Sequence, residues 1–216
     1  MAASVGPALP GEPGPIRVNM AKWRRALPDD AWPEGFPESG VVWRRDVFAV
    51  AESWRSEVAT PRQLLAAALM WGYGLNGYGP WRAVKALNGD QHGERLTRAL
   101  DGLRADHPTL EDSRAAFRSF RDAKVSRLPW LGPAFFTKVV YFAGYRRDGH
   151  EIQPLILDRV VAGRLPVEAG VRRRWGGWRS DEWIAYLQWA AERAAAAKVE
   201  PDAVEMALFR GDSLSS

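Results

Sequence analysis

Two residues of opposite charge stand where the surrounding sequence is apolar. Lys138 sits in AFFTKVV, between Phe135, Phe136, Val139 and Val140. Asp158 ends the run PLIL and opens RVVA. An amine packed among phenyl and isopropyl groups loses solvation, which favours its neutral, nucleophilic form. A carboxylate at the start of a helix meets the positive end of the helix dipole and stays ionised. Brought close, the carboxylate would oppose the loss of the amine's proton. Plainer roles compete for both. Lys138 can snorkel to the surface or bind a phosphate, and Asp158 can simply cap its helix, worth roughly 1 kcal/mol.

Bringing two residues 20 positions apart into contact requires a turn and a loop. Residues 114–142 read as one unit. A helix opened by the cap pair Thr109 and Asp112 runs through Phe117 and Phe120 to Lys124. The turn LPWLGP follows, and a second helix starts at about Pro133. The backbone N–H groups of such a hairpin, with the next helix N-terminus, can hold a phosphate. Trp130, Leu131 and Gly132 are the expected contacts, with Gly132 allowing close backbone approach. The polar loop RRDGHEIQ then leads to PLILD.

The rest of the chain predicts helices. Val47, Val50, Ala51, Trp54 and Val58 share one face. Thr60, Pro61 and Gln63 form a helix start with a capping box, opening the apolar helix QLLAAALMW. GYGLNGYGPW ends that helix with four Gly and a Pro. Short helices are expected over 82–87 and 93–104. Ser180 is expected to cap a long helix through Trp183 and Trp189, and a last helix runs from Pro201 to Phe209. Residues 1–16, rich in Pro and Gly, read as a disordered tail, and 28–40 as an irregular connector. The helical domain is expected over 41–216. No segment alternates like a strand, so the fold class is all-α.

Composition narrows the chemistry. The chain has 216 residues and is 46% hydrophobic, enough for a sizeable core. It has no cysteine, which excludes disulfides, thiol nucleophiles and cysteine-bound metal. Three scattered His make a metal site unexpected, and no cofactor motif is present. No apolar run is long enough for a membrane span and no leader is evident, so a cytoplasmic location is expected. The net charge of +4 fits a polyanionic partner without demanding one.

WGYGLNGYGPWR, LPWLGPAFFTKVVYFAG, PLILDRVVA and the ending VEMALF together resemble the helix-hairpin-helix DNA glycosylases. The closest similarity is to a bacterial branch of 8-oxoguanine glycosylases, over roughly residues 45–210. The resemblance implies DNA as partner, base flipping, Lys138 as Schiff-base nucleophile with β-lyase activity, and Asp158 as catalytic carboxylate. A monomer is expected. Two positions depart from the family pattern. Trp130 stands where an L-P-G-x-G hairpin has its first Gly, and a Trp cannot easily adopt Gly-only dihedrals. Ala134 stands where better-known members carry the lysine. Lys138 lies four residues on, about one helical turn, and so on the same face. Lys124 and Lys85 are the fallback nucleophiles.

Further contacts are expected on the same reading. Tyr73, Asn76, Tyr78 and Trp81 can hydrogen-bond or stack with a flipped base. Arg159, and Arg172 and Arg174 in RRRWGGWR, suit the DNA backbone. Each has a plainer reading as a loop or solvated surface, and Trp54 and Trp71 read as core. The alternatives for the whole chain are a non-catalytic DNA-binding protein of the same fold and an unrelated helical interaction protein.

Overall fold

A computed structural model describes residues 12–147, 149, 152–172 and 177–212. The fold is all-α apart from one short strand pair. In chain order the elements are β1 (Ile16–Arg17), α1 (Met20–Ala26), β2 (Val41–Val42), α2 (Arg44–Arg55), α3 (Pro61–Tyr73) and α4 (Gly79–Asn88). They continue with α5 (Glu94–Leu100), α6 (Leu110–Arg121), α7 (Pro133–Gly144), α8 (Arg159–Arg164), α9 (Ser180–Ala197) and α10 (Pro201–Arg210).

The centre is made by α3 and α7, the two most apolar helices. In α3, Leu64 to Met70 are all buried, and in α7 so is every residue from Phe136 to Gly144. A helix apolar on all sides needs neighbours on all sides. α2, α4 and α7 surround α3, while α2 and α6 pack on α7. The caps read from sequence fix where two of these helices start. Gln63 N–H donates to Thr60 Oγ1 at 3.2 Å, and Thr60 N–H to Gln63 Oε1 at 2.7 Å. Thr109 and Asp112 make the same reciprocal pair at the start of α6.

Three expectations need correction. The segment before residue 41 is not merely a tail and connector. β1 pairs antiparallel with β2, Ile16 against Val42, and α1 lies between them in the chain. Its Trp23 is buried against α4: a Cβ on Gly79 would stand 3.0 Å from the indole. Ser180 does not cap α9. Arg179 holds the cap position, and its N–H donates to Glu182 Oε2 at 3.0 Å, leaving Ser180 one residue inside. α6 stops at Arg121, so the connection to α7 covers 122–132. Its first half folds around Asp122, whose carbonyl accepts from the N–H groups of Val125, Ser126 and Arg127.

Candidate active site

The geometry around Lys138 is set from two sides. α7 presents it one residue after Thr137. The extended run Leu155–Leu157 presents Asp158 one residue after Leu157. Thr137 joins the two: its Oγ1 donates to Pro133 O at 2.8 Å and accepts from Leu157 N–H at 3.2 Å. Trp183 Nε1 donates to Leu155 O at 3.0 Å and fixes the other end of the run. With 137 and 157 pinned, the next residue on each strand of chain meets its counterpart. Lys138 Nζ lies 2.8 Å from Asp158 Oδ2.

Asp158 is the N-cap of α8. Its Oδ1 accepts from Val160 N–H at 3.0 Å and Val161 N–H at 3.1 Å. The two oxygens therefore divide the work, one for the helix and one for the amine. Burial pushes the Asp158 carboxyl up, but the Lys138 charge and the three hydrogen bonds outweigh it. The group is held below its ordinary value and stays ionised.

The lysine stem crosses α3 where there is no side chain. A Cβ on Gly72 would stand 3.0 Å from Lys138 Cδ and 3.3 Å from Cε. The amine then reaches Trp71, 5.8 Å from the ring centroid. Trp71 is half-buried rather than core as expected, with Phe142 edge-on to its ring at 5.4 Å. Trp54, by contrast, is fully buried. Tyr73 stacks on Phe135 at 4.0 Å, and Arg82 reaches its hydroxyl. Burial raises the Tyr73 hydroxyl pKa and Arg82 partly offsets this.

The other base-pocket candidates lie elsewhere on the surface. Asn76 accepts from Tyr78 N–H at 3.0 Å in the α3–α4 turn, and Tyr78 is exposed. Trp81 is exposed on α4 and touches Trp130. Among the hairpin candidates, Leu131 is buried and its side chain serves the core. Gly132 is the N-cap of α7 with φ −81°, a conformation open to any residue, and a Cβ there would touch nothing within 4 Å. Its absent side chain therefore answers no packing need within the chain. Trp130 does take the glycine-like conformation, with φ +61°. It follows Pro129 in a turn closed by Leu131 N–H to Leu128 O at 3.4 Å, at the position where positive φ favours Gly. Arg159 is exposed in the first turn of α8, and Arg172 is exposed with its N–H donating to Glu182 Oε1. Arg174 lies outside the described residues. A cavity of about 620 Å³ opens beneath the 122–132 turn, between Arg121, Arg127 and Phe136. Neither Lys138 nor Asp158 lines it.

A second polar cluster, which no local sequence pattern announces, lies behind the lysine. Arg44 Nη1 donates to Glu205 Oε2 at 2.6 Å and to Tyr141 Oη at 3.2 Å, with its guanidinium 5.1 Å from the Trp71 centroid. Tyr141 donates in turn to Asp202 Oδ2 at 2.8 Å, which also pairs with Arg147 at 2.7 Å. Burial pushes the Glu205 carboxyl up, against Arg44 and Lys138, whose charges pull it down. Glu205 stands in VEMALF, but only tertiary contact reveals that it is paired. Among the described residues, Glu205 Oε1 and the Tyr186 hydroxyl are buried without a hydrogen-bond partner.

The structure is an all-α domain in which a lysine–carboxylate pair stands at the start of a helix that the carboxylate caps. The chain matches the family described as "Putative 8-oxoguanine DNA glycosylase OGG-like protein" over residues 12–209, and it belongs to that family. Membership in a DNA glycosylase family implies DNA as substrate. No curated protein and no solved structure shows a significant match. Among the described residues, no helix is long and apolar enough to cross a membrane.

Proposed function

We propose that the protein excises 8-oxoguanine from DNA and nicks the strand through a Schiff base on Lys138. The observation that carries this reading is the 2.8 Å contact between Lys138 Nζ and Asp158 Oδ2 at the open end of α8. An oxidised base within a duplex is out of reach, so its nucleotide must be flipped into the site. As the N-glycosidic bond breaks, the base leaves with the bonding electrons and takes up a proton. Positive charge grows on the sugar, and the ionised Asp158 stabilises it. The Lys138 ammonium gives its extra proton to the departing base, and the neutral amine attacks C1′ while Asp158 stays ionised. Ring opening gives the Schiff base, and β-elimination then breaks the strand. The half-buried Trp71 face beside the amine supplies a flat wall on which a flipped base can stack.

The residues outside this pair take supporting roles in the same reading. The hairpin at 128–132 and the α7 N-terminus meet phosphates through backbone N–H groups, and Arg159 and Arg172 add charge on the α8–α9 side. The test is a panel of duplexes, each carrying one lesion. Release of 8-oxoguanine, well above release of undamaged guanine, is the expected result. No base release from any duplex would overturn the reading in favour of a non-catalytic DNA-binding protein.

A further inference from the structure

Two large aromatic side chains are exposed side by side, away from the contacts that hold Lys138. Trp81 on α4 and Trp130 in the α6–α7 turn meet edge to face, with centroids 5.0 Å apart and planes at 63°. They are 47% and 55% exposed. Each has a cation nearby: Lys85 Nζ lies 5.8 Å from the Trp81 ring and the Arg82 guanidinium 5.8 Å from Trp130. The cavity under the turn adds Arg121 and Arg127 beside Trp130.

Trp130 holds φ +61°, in a region that disfavours residues with a Cβ. Glycine would fit that position at lower cost. The indole placed there is left more than half in solvent. The support beneath is firm. Gly89, at the end of α4, gives up its side-chain space to Pro129, since a Cβ there would stand 2.5 Å from Pro129 Cδ. The turn is thereby seated on α4, and the two indoles share one base.

Exposed indole faces beside four cations match one chemistry closely: a nucleobase to stack and phosphates to either side. A base inside a duplex has both faces covered, so the occupant must be unstacked. We propose that Trp81 and Trp130 form a stacking ledge for an unpaired base of single-stranded DNA, with Arg82 and Lys85 taking the flanking phosphates. This rests on the glycosylase reading only in taking DNA as the partner.

Two oligomers of equal length separate stacking from charge: oligo(dT), and the same backbone carrying tetrahydrofuran abasic residues throughout. Fluorescence anisotropy at fixed salt should show the native protein binding oligo(dT) about tenfold more tightly or better, the range that one stacked base supplies. The variant Trp81→Ala/Trp130→Gly should bind both oligomers alike while keeping its salt dependence. Glycine suits the positive φ, so Trp130→Gly should fold. If the double variant does not fold, Trp81→Ala alone should lose most of the preference. Equal native affinity for the two oligomers, or a preference that survives the folded variant, overturns the proposal. The two readings fail separately. A native protein that prefers oligo(dT) but releases no base from any lesion duplex keeps the ledge and loses the glycosylase assignment. One that excises without the preference does the reverse.

Discussion

Two ion pairs lie against the indole of Trp71, and they differ chiefly in access. Arg44 and Glu205, from α2 and α10, have side chains 2% and 1% exposed. Lys138 and Asp158 have side chains 8% and 16% exposed. The first pair is closed on all sides by Tyr141, Tyr186 and their neighbours, and no ligand can enter without unpacking them. Its charges serve each other. Burial works against the Arg44 charge, and Glu205 and Tyr141 more than offset it. The second pair lies at the start of a helix, where one carboxylate oxygen is fixed by amides and the other faces the amine, and both side chains keep some exposure. The same pairing of charges is thus closed in one place and partly exposed in the other, where we propose that it does chemistry. The difference comes from what covers them.

The comparison breaks most sharply by removing one partner of the closed pair. Arg44→Met leaves the Glu205 carboxylate buried without its cation, which costs about 3–5 kcal/mol. Chemical denaturation should show a loss of that size, and far less for Lys138→Gln. A loss for Arg44→Met no greater than for Lys138→Gln would mean that the two pairs are not different in kind.

Asp158→Asn acts on the open pair. The amide still accepts from Val160 and Val161, so the cap survives, but Lys138 loses its counter-ion and the stability linked to that charge is lost. The charge facing the sugar is lost, and single-turnover excision should fall by about 10²- to 10³-fold. Near-normal turnover would remove Asp158 from the mechanism. The pH dependence sharpens this. The native pKa of Asp158 is lowered, so its ionisation, and the stability linked to it, are fully present above the unfolded value and are lost as pH falls through the lower folded one. The acid limb it sets in activity should therefore lie below about pH 3.9. An acid limb above that value in base release, present in the native protein and absent from Asp158→Asn, would contradict the assignment.

Much of this site was legible in the sequence, and the limits are physical. Lys138 and Asp158 stood out because charge in an apolar run is expensive and has few reasons to be there. The capping boxes at Thr60 and Thr109 were legible because they are local, each closed within three residues. α1 was missed because it is short and shows only one buried side chain, Trp23, which no periodic stripe announces. Glu205, Arg44 and Trp71 were missed for another reason. Their roles depend on contacts between distant segments, and nothing near them in the chain distinguishes them. Trp130 was seen as a departure from a glycine pattern, but that the turn keeps the glycine conformation is visible only in the backbone.

Thr137 belongs to the same class of long-range contacts, and it gives the smallest predicted effect. Thr137→Val removes the hydroxyl that ties α7 to Leu157 but keeps the shape. The buried Leu157 N–H then loses a partner, at about 1–3 kcal/mol. Thermal unfolding should report that loss, and single-turnover excision should slow even at temperatures where the variant is fully folded, because 138 and 158 lose their common anchor. Full activity in the folded variant would show that the pair holds its geometry without the tie.

The central claim is that Lys138 is the nucleophile, and borohydride trapping tests it most directly. The native protein, incubated with an 8-oxoguanine duplex and sodium borohydride, should form a covalent protein–DNA complex. Lys138→Gln should form none and should produce no nicks, even at saturating protein, with any residual base release slow and without strand cleavage. A lysine that only bound phosphate would behave differently: affinity would fall, the salt slope would drop by about one, and trapping would return at saturation. Full trapping by folded Lys138→Gln would contradict the account and move the search to Lys124 and Lys85.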